Sequence, residues 1–508
     1  MNQMAPDWVE YHRQRSGQWP ALESVDSGEV LTWTMLDDRV GRLAQFLFDS
    51  HGIRKGARIV VLAENDIRVL ILQFACMRLG AIMVPLNWRL APVELAALGQ
   101  DADPAMVIHD DAWAEAADHI ATECDLRRTL SWGSTQPGND FDRGIDAASR
   151  MGASRDNVLD DPTHILYTSG TTGVPKGAFV TNKTLVWQGI NCAVPSDLTG
   201  PGTKQFNPLP LFHAGGLLTL ASGVLMSGGC VAVSRRFDPE LCLAWLGDPE
   251  RGITHFNSPP VMWQGITETA GWAGTDFSHI RHCHVAGSIM PLEMFELWRG
   301  RGVAIQQHYG GTEMGPTATA LPAADAFRKV GSCGLPVMHT QIRIVDGAEE
   351  DVAPGADGEI WLNGPSVTPG YWRRPDEDCF RDGWFRTGDG AHQDDEGYFF
   401  LTDRIKDVFK SGGESVFPAE VERILLESPA IAEVAVIGIS HQQWGEVGRA
   451  VVVPAAGVAM TVEDLAAHLD GRLARYKIPR SLVLVDALPR NALGKLDKKV
   501  LRATHGTA

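Results

Sequence analysis

Ser169, Gly170, Thr171, Thr172 and Gly173 form a run of small hydroxyl residues and glycines that closes on a single cation, Lys176. The run follows a short apolar, β-prone segment, His164 to Tyr167, with Thr168 at the junction. Glycine lets backbone N–H groups turn toward a ligand at low steric cost, and serine and threonine add hydroxyl donors. A concave set of donors that ends in a lysine suits a chain of phosphates. It is not the Gly-x-x-x-x-Gly-Lys-Ser/Thr loop, because neither Gly170 nor Gly173 has a Gly-Lys pair at that offset. Further along, Gln307–Gly315 (QHYGGTEMG) brings together an aromatic face, a short hydroxyl and a hard carboxylate in Tyr309, Thr312 and Glu313. Asp389 ends a Gly-Trp-Phe-Arg-Thr-Gly-Asp run, and Lys495 lies in PRNALGKLD near the C-terminal end.

The stretch Tyr167 to Gly177, YTSGTTGVPKG, resembles the signature loop of the acyl-adenylate-forming superfamily, which contains acyl-CoA synthetases, beetle luciferases and the adenylation domains of peptide synthetases. The later segments resemble that family's motifs in order: NPLPLFHAGG (207–216), HVAGSIMP (284–291), Y-G-x-T-E at Tyr309–Glu313, W-[FY]-x-T-G-D at Trp384–Asp389, and P-[RK]-[NT]-x-x-G-K ending on Lys495. The resemblance implies roles. Thr168, Ser169, Gly170, Thr171, Thr172, Gly173 and Lys176 would hold the phosphates of ATP. Gly287, Ser288, Tyr309 and Gly310 would hold the adenine side, and Asp389 with Arg404 the ribose hydroxyls, since an ionised carboxylate accepts from two donors at once. Thr312 would donate to the α-phosphate, Glu313 would help hold Mg2+, and Lys495 would be the adenylation cation. His213, Gly216, Ala286 and Gly311 would line the acyl pocket. Lys406 matches the family's hinge position, and Ser411, Gly412, Gly413 and Trp444 would border the tunnel for CoA, although a core role for Trp444 fits equally well.

These groups need elements to position them. Between 57 and 110 the sequence alternates strand (57–63), helix capped by Asn65 or Asp66 and ended by Gly80, strand (81–86), helix (92–98) and strand (105–109). Such spacing predicts parallel sheet with helices on its faces. Residues 111–160 are polar and carry no clear period. The charge-free stretch Gly215–Ser234 contains five glycines and reads as a buried helix and strand rather than a membrane span. After Lys406 the pattern changes to a compact α+β module, with a helix from Pro418, strands at 434–439, 450–453 and 482–485, and a capping box at Thr461 and Asp464 opening a helix that carries Leu465, Leu469 and Leu473. The expected fold is therefore a large α/β N-terminal domain (1–402), a hinge (403–406) and a small, mobile α+β C-terminal domain (407–508).

Composition bounds the function. At 508 residues the chain exceeds one ordinary core. A net charge of −18 argues against a nucleic-acid partner and makes each placed cation more informative. Eight scattered cysteines without a C-x-x-C pair offer neither a zinc site nor a disulfide framework, which fits reduced thiols in a cytoplasmic protein. The N-terminal residues lack the apolar run of a signal peptide. Peripheral membrane contact and a homodimer are left open. The expected activity is an acid–thiol ligase: ATP activates a hydrophobic carboxylic acid as acyl-AMP, and CoA then takes the acyl group, with AMP and pyrophosphate released. An aryl or arylpropenoic acid in place of a fatty acid, and a non-catalytic nucleotide-binding relative, are the competing readings.

Overall fold

A computed structural model describes residues 3–126, 129–133, 140–168, 175–375, 379–404, 407–411, 414–441, 444–470, 472–473, 475–490 and 496–506. The chain divides into two compact units: Met1–Gln341 with Leu362–Phe385, and Ile342–Trp361 with Arg386–Ala508.

The larger unit is built on two sheets. The alternation over 57–110 appears as strand Arg58–Leu62, helix Ile67–Leu79, strand Ile82–Pro85, helix Pro92–Ala102 and strand Met106–Asp110. Asp66 caps the first helix by accepting from the Arg68 amide, and Gly80 ends it at φ 69°. These strands join Leu130–Trp132, Pro162–Thr168 and Lys176–Thr181 in a six-stranded sheet that is parallel except for its last hairpin. The run Arg58-Ile-Val-Val-Leu62 explains the layering. Ile59 and Val61 enter one core cluster, while Val60 and Leu62 enter another on the opposite face. A strand covered on both faces reads as continuous apolar sequence, which is what a buried parallel strand requires.

The second sheet has nine strands, with the parallel run His282–Val285, His255–Ser258, Lys204–Asn207 and Cys230–Val233 near its middle and Ile305–Tyr309 beside His282–Val285. One face carries Phe206, Phe256, Cys283, Val285 and Ile305 into an aromatic-rich core with Trp263 and Trp298. Gln205, Asn207, His255, Asn257, His284, Gln306 and His308 alternate with these residues and are also buried. The stretch 215–234 contains a π-helical turn, Gly215–Thr219, then helix Ala221–Ser227 and strand Cys230–Val233. Among the described residues, no helix is long and apolar enough to cross a membrane. The polar region 111–160 holds more order than its composition suggests: helix Ala114–Glu123, strand Leu130–Trp132 and helix Asp140–Ala147.

The smaller unit contains the antiparallel strands Ile431–His441 and Gly445–Pro454, with Ser481–Leu484 added in parallel. Helices Pro418–Leu425, Val462–Leu469 and Lys498–His505 accompany them. The Thr461–Asp464 capping box is present. The helix it opens stops at Leu469, so Leu473 packs on the core from beyond the helix rather than along its face.

Candidate active site

Chemistry-bearing residues of the larger unit collect where strands end. Thr168 terminates Pro162–Thr168, Ala286 to Ser288 follow His282–Val285, and Gly310 to Thr312 follow Ile305–Tyr309. Carboxyl ends of strands in an open α/β sheet are where such folds bind ligands.

Thr168 pairs with Lys176 across the hairpin, so the two ends of the glycine-rich loop are held side by side. Residues Ser169, Gly170, Thr171, Thr172 and Gly173, expected to cradle phosphates, lie outside the described residues. From the loop's rim, Thr168 Oγ1 donates to Glu313 Oε1 at 2.8 Å. Tyr371 O–H donates to the same oxygen at 3.1 Å. Glu313 lies in the short 3-10 turn Thr312–Met314, and its carbonyl accepts from the Thr368 amide at 2.9 Å. Two distant segments, the strand end at Thr168 and the stretch 368–371, thus meet at Glu313, both through its carboxylate and the second also through its backbone carbonyl. Lys176 is 8% exposed, with Nζ 5.4 Å from the Tyr371 ring centroid.

Tyr309 and Thr312 are buried at the end of the neighbouring strand. Between them Gly310 has no room for a side chain: a Cβ there would stand 1.9 Å from the Pro316 carbonyl oxygen. Gly311 faces only ordinary contacts, the nearest being the Met314 methyl at 3.5 Å. Gly287 has φ 90°, which favours glycine, and turns the chain after Ala286. Gln307 fastens this turn to the adjacent strand. Its Oε1 accepts from the Met290 amide at 3.0 Å, and its Nε2 lies 3.1 Å from the Ser288 carbonyl.

His213 accepts from the Gly215 amide through Nδ1 at 3.0 Å, which leaves its proton on Nε2. Gly216 starts the buried π turn, where a Cβ would meet the Pro210 carbonyl at 2.4 Å. Close packing within the larger unit therefore already requires a glycine there. On the buried polar face of the nine-stranded sheet, His284 and His308 stack with centroids 4.4 Å apart. Burial holds the His284 imidazole well below its ordinary range and pushes His308 down to about 4. Both rings are neutral at pH 7. Burial also pushes the Cys192 thiol up to about 12, so it is no thiolate nucleophile.

In the smaller unit, Gly388 donates to Glu359 Oε1 at 3.0 Å and Asp389 N–H to Thr387 Oγ1 at 3.0 Å. The antiparallel register sets Asp389 opposite Arg404, so the expected ribose pair stands on neighbouring strands. Ser411 is buried in a strand that pairs with Glu414 and Gly445. Trp444 packs half-buried on a core that includes Ile437 and Val451, with the Arg480 guanidinium 5.3 Å from its ring. Lys406, Gly412, Gly413 and Lys495 lie outside the described residues, as does the Arg404 side chain.

Two residues of the site escape a reading by type and spacing. Tyr371 reaches Glu313 from 58 positions away, and Gln307 acts through backbone groups. The Pro-Gly-Tyr-Trp run around Tyr371 marks a turn without marking a ligand.

Known proteins resemble this chain in sequence and in fold. The sequence matches the AMP-binding enzyme family over residues 9–372 and the AMP-binding enzyme C-terminal domain over 420–495. It is 37% identical to a feruloyl-CoA synthase of Amycolatopsis sp, across 97% of this chain and 99% of that protein. It is 36% identical to an indoleacetate–CoA ligase of Aromatoleum aromaticum, across 98% and 97%. ATP-bound MatB from Rhodopseudomonas palustris superposes with a TM-score of 0.91 at 29% identity, across 99% of both chains. With the large α/β part, the smaller C-terminal part and near-complete coverage all agreeing, the chain belongs to the AMP-binding enzyme family and to its acyl-CoA synthetase branch.

Proposed function

We propose that the protein is an AMP-forming CoA ligase for an aromatic carboxylic acid, aryl or arylpropenoic. The observation that carries the ATP chemistry is the Thr168–Glu313 hydrogen bond, which joins the rim of the phosphate loop to the Y-G-x-T-E turn. The aromatic acid is supported by the two ligases at 36–37% identity, one named for ferulate and one for indoleacetate.

In the first half-reaction a carboxylate oxygen attacks the α-phosphorus of ATP and pyrophosphate leaves. Both reactants are anions, so the barrier is largely electrostatic, and preorganised cations and donors lower it. Thr312 donates to the α-phosphate, and Lys176 with the loop from Thr168 binds the departing pyrophosphate. Tyr309, Gly287, Ser288 and Gly310 hold the adenine, and Asp389 and Arg404 the ribose. Lys495 neutralises the repulsion between carboxylate and phosphate. His213, Gly216, Ala286 and Gly311 line the acid's site. In the second half-reaction the CoA thiol attacks the acyl carbonyl and AMP leaves. Residues 403–406 act as the hinge between the two steps, and Ser411, Gly412, Gly413 and Trp444 border the path of the thiol.

Glu313 suits Mg2+, a hard cation that keeps several waters and binds through one or two carboxylates plus substrate phosphates. When bound, the ion supplies neutralisation of phosphate charge. The scattered spacing of the eight cysteines, with no C-x-x-C pair, supports a reducing cytoplasmic setting.

The test is AMP release measured across ferulate, cinnamate, indoleacetate and palmitate, with and without CoA. An aromatic acid should exceed palmitate in kcat/KM by at least about tenfold, the scale set by a few apolar contacts. A preference for palmitate contradicts the aromatic assignment.

A further inference from the structure

Residues 368–373 lie as a strap along Lys176–Thr181, the edge strand of the six-stranded sheet. Phe179 N–H donates to the Gly370 carbonyl at 3.0 Å, and Trp372 N–H to the Gly177 carbonyl at 2.8 Å. Thr368 Oγ1 donates to the Phe179 carbonyl at 2.8 Å, and Trp372 Nε1 to the Asp101 carbonyl at 2.7 Å. An edge strand otherwise exposes unpaired backbone groups, and this strap covers them. Its main consequence is the place it gives Tyr371. The phenol hydroxyl donates to Glu313 Oε1, and the ring lies under the Lys176 ammonium at 5.4 Å. One side chain thus touches both the carboxylate and the cation of the nucleotide site.

We propose that Tyr371 is a positioning residue for the metal–nucleotide: its hydroxyl fixes the Glu313 carboxylate, and its ring carries Lys176. A carboxylate on a flexible stem loses rotamer freedom when it meets an ion. The two hydroxyl donors from Thr168 and Tyr371, both on Oε1, settle that orientation before the nucleotide arrives. Beneath Lys176, the negative ring face stabilises a partly desolvated ammonium. The inference rests on the reading of Glu313 as the carboxylate that meets the nucleotide's metal.

Tyr371→Phe removes the hydroxyl and keeps the ring; Tyr371→Leu removes both. Calorimetry should show Tyr371→Phe binding MgATP about tenfold more weakly, the scale of one hydrogen bond to a charged group. Binding of ATP in EDTA and the KM for the acid should stay at wild-type values. Tyr371→Leu should also weaken ATP in EDTA, because Lys176 loses its support. Glu313→Gln separates this inference from the reading beneath it. If Glu313→Gln weakens MgATP while Tyr371→Phe binds it like wild type, Tyr371 does not position the carboxylate. If Glu313→Gln also binds MgATP like wild type, the Glu313 reading falls and takes the inference with it. Equal losses by Tyr371→Phe with and without Mg2+ would assign the tyrosine a packing role and overturn the proposal.

Discussion

His284 and His308 show how strongly single positions depend on the sheet around them. Each sits on the buried face of a strand, and register places the rings against one another. A reading of the sequence by motif can find Tyr309 and Glu313 because their neighbours in the chain define the pattern. It cannot find Gln307 or Tyr371, whose partners are set by strand pairing and by a strap 58 residues downstream. The histidines have a measurable consequence. Burial lowers His308 from 6.5 to about 4, and His255 likewise to about 4. The native imidazoles stay neutral where the unfolded chain takes up protons. Stability from these groups is therefore complete above pH 6.5 and declines as pH falls toward 4. Each contributes a slope of about 1.4 kcal/mol per pH unit in that window. Urea unfolding at pH 7, 6 and 5 should show that decline, and His308→Gln should make it shallower by about one group's slope. Parallel pH profiles for the two proteins would contradict the neutral buried pair.

At the scale of elements, the features legible in the sequence were those with local causes. Asp66 and Gly80 bracket the helix Ile67–Leu79, and the continuous apolar strands announce a sheet covered on both faces. The helices within 111–160 were not legible, because among the described side chains of Asp140–Ala147 only Phe141 and Ile145 are buried and the helix is too short to show a period. Also invisible was the charge network that fastens the N-terminal helix Trp8–Ser16. Arg78, with a fully buried side chain, donates to Asp7 and Asp37 at 2.9 Å each. Asp37 is itself only 1% exposed and also receives Arg150. Removing one partner of a buried pair leaves an uncompensated charge, so Asp37→Ala should lower stability by about 3–5 kcal/mol. Asp38→Ala, which breaks only the exposed pair with Arg42, should cost no more than about 1 kcal/mol. Urea midpoints read by tryptophan fluorescence compare the two variants. Equal shifts would show that the buried network does not anchor the helix.

For the whole molecule, the reaction class follows from motifs spread over nearly the full chain: the loop at 168–176, the turn at 309–313, Asp389 beside Arg404, and Lys495 near the C-terminal end. The acid is less legible, because the walls of its site come from segments that carry no motif of their own. Activation of a carboxylate by ATP needs a cation between two anions, and the family pattern assigns that task to Lys495. Acid-dependent ATP–pyrophosphate exchange, measured beside CoA transfer from chemically prepared acyl-AMP, separates the two half-reactions. Lys495→Ala should lose exchange by at least about a thousandfold, the scale of an electrostatic catalytic group, while retaining transfer close to wild type. Exchange that survives the substitution, or equal loss of both half-reactions, would contradict adenylation by this lysine.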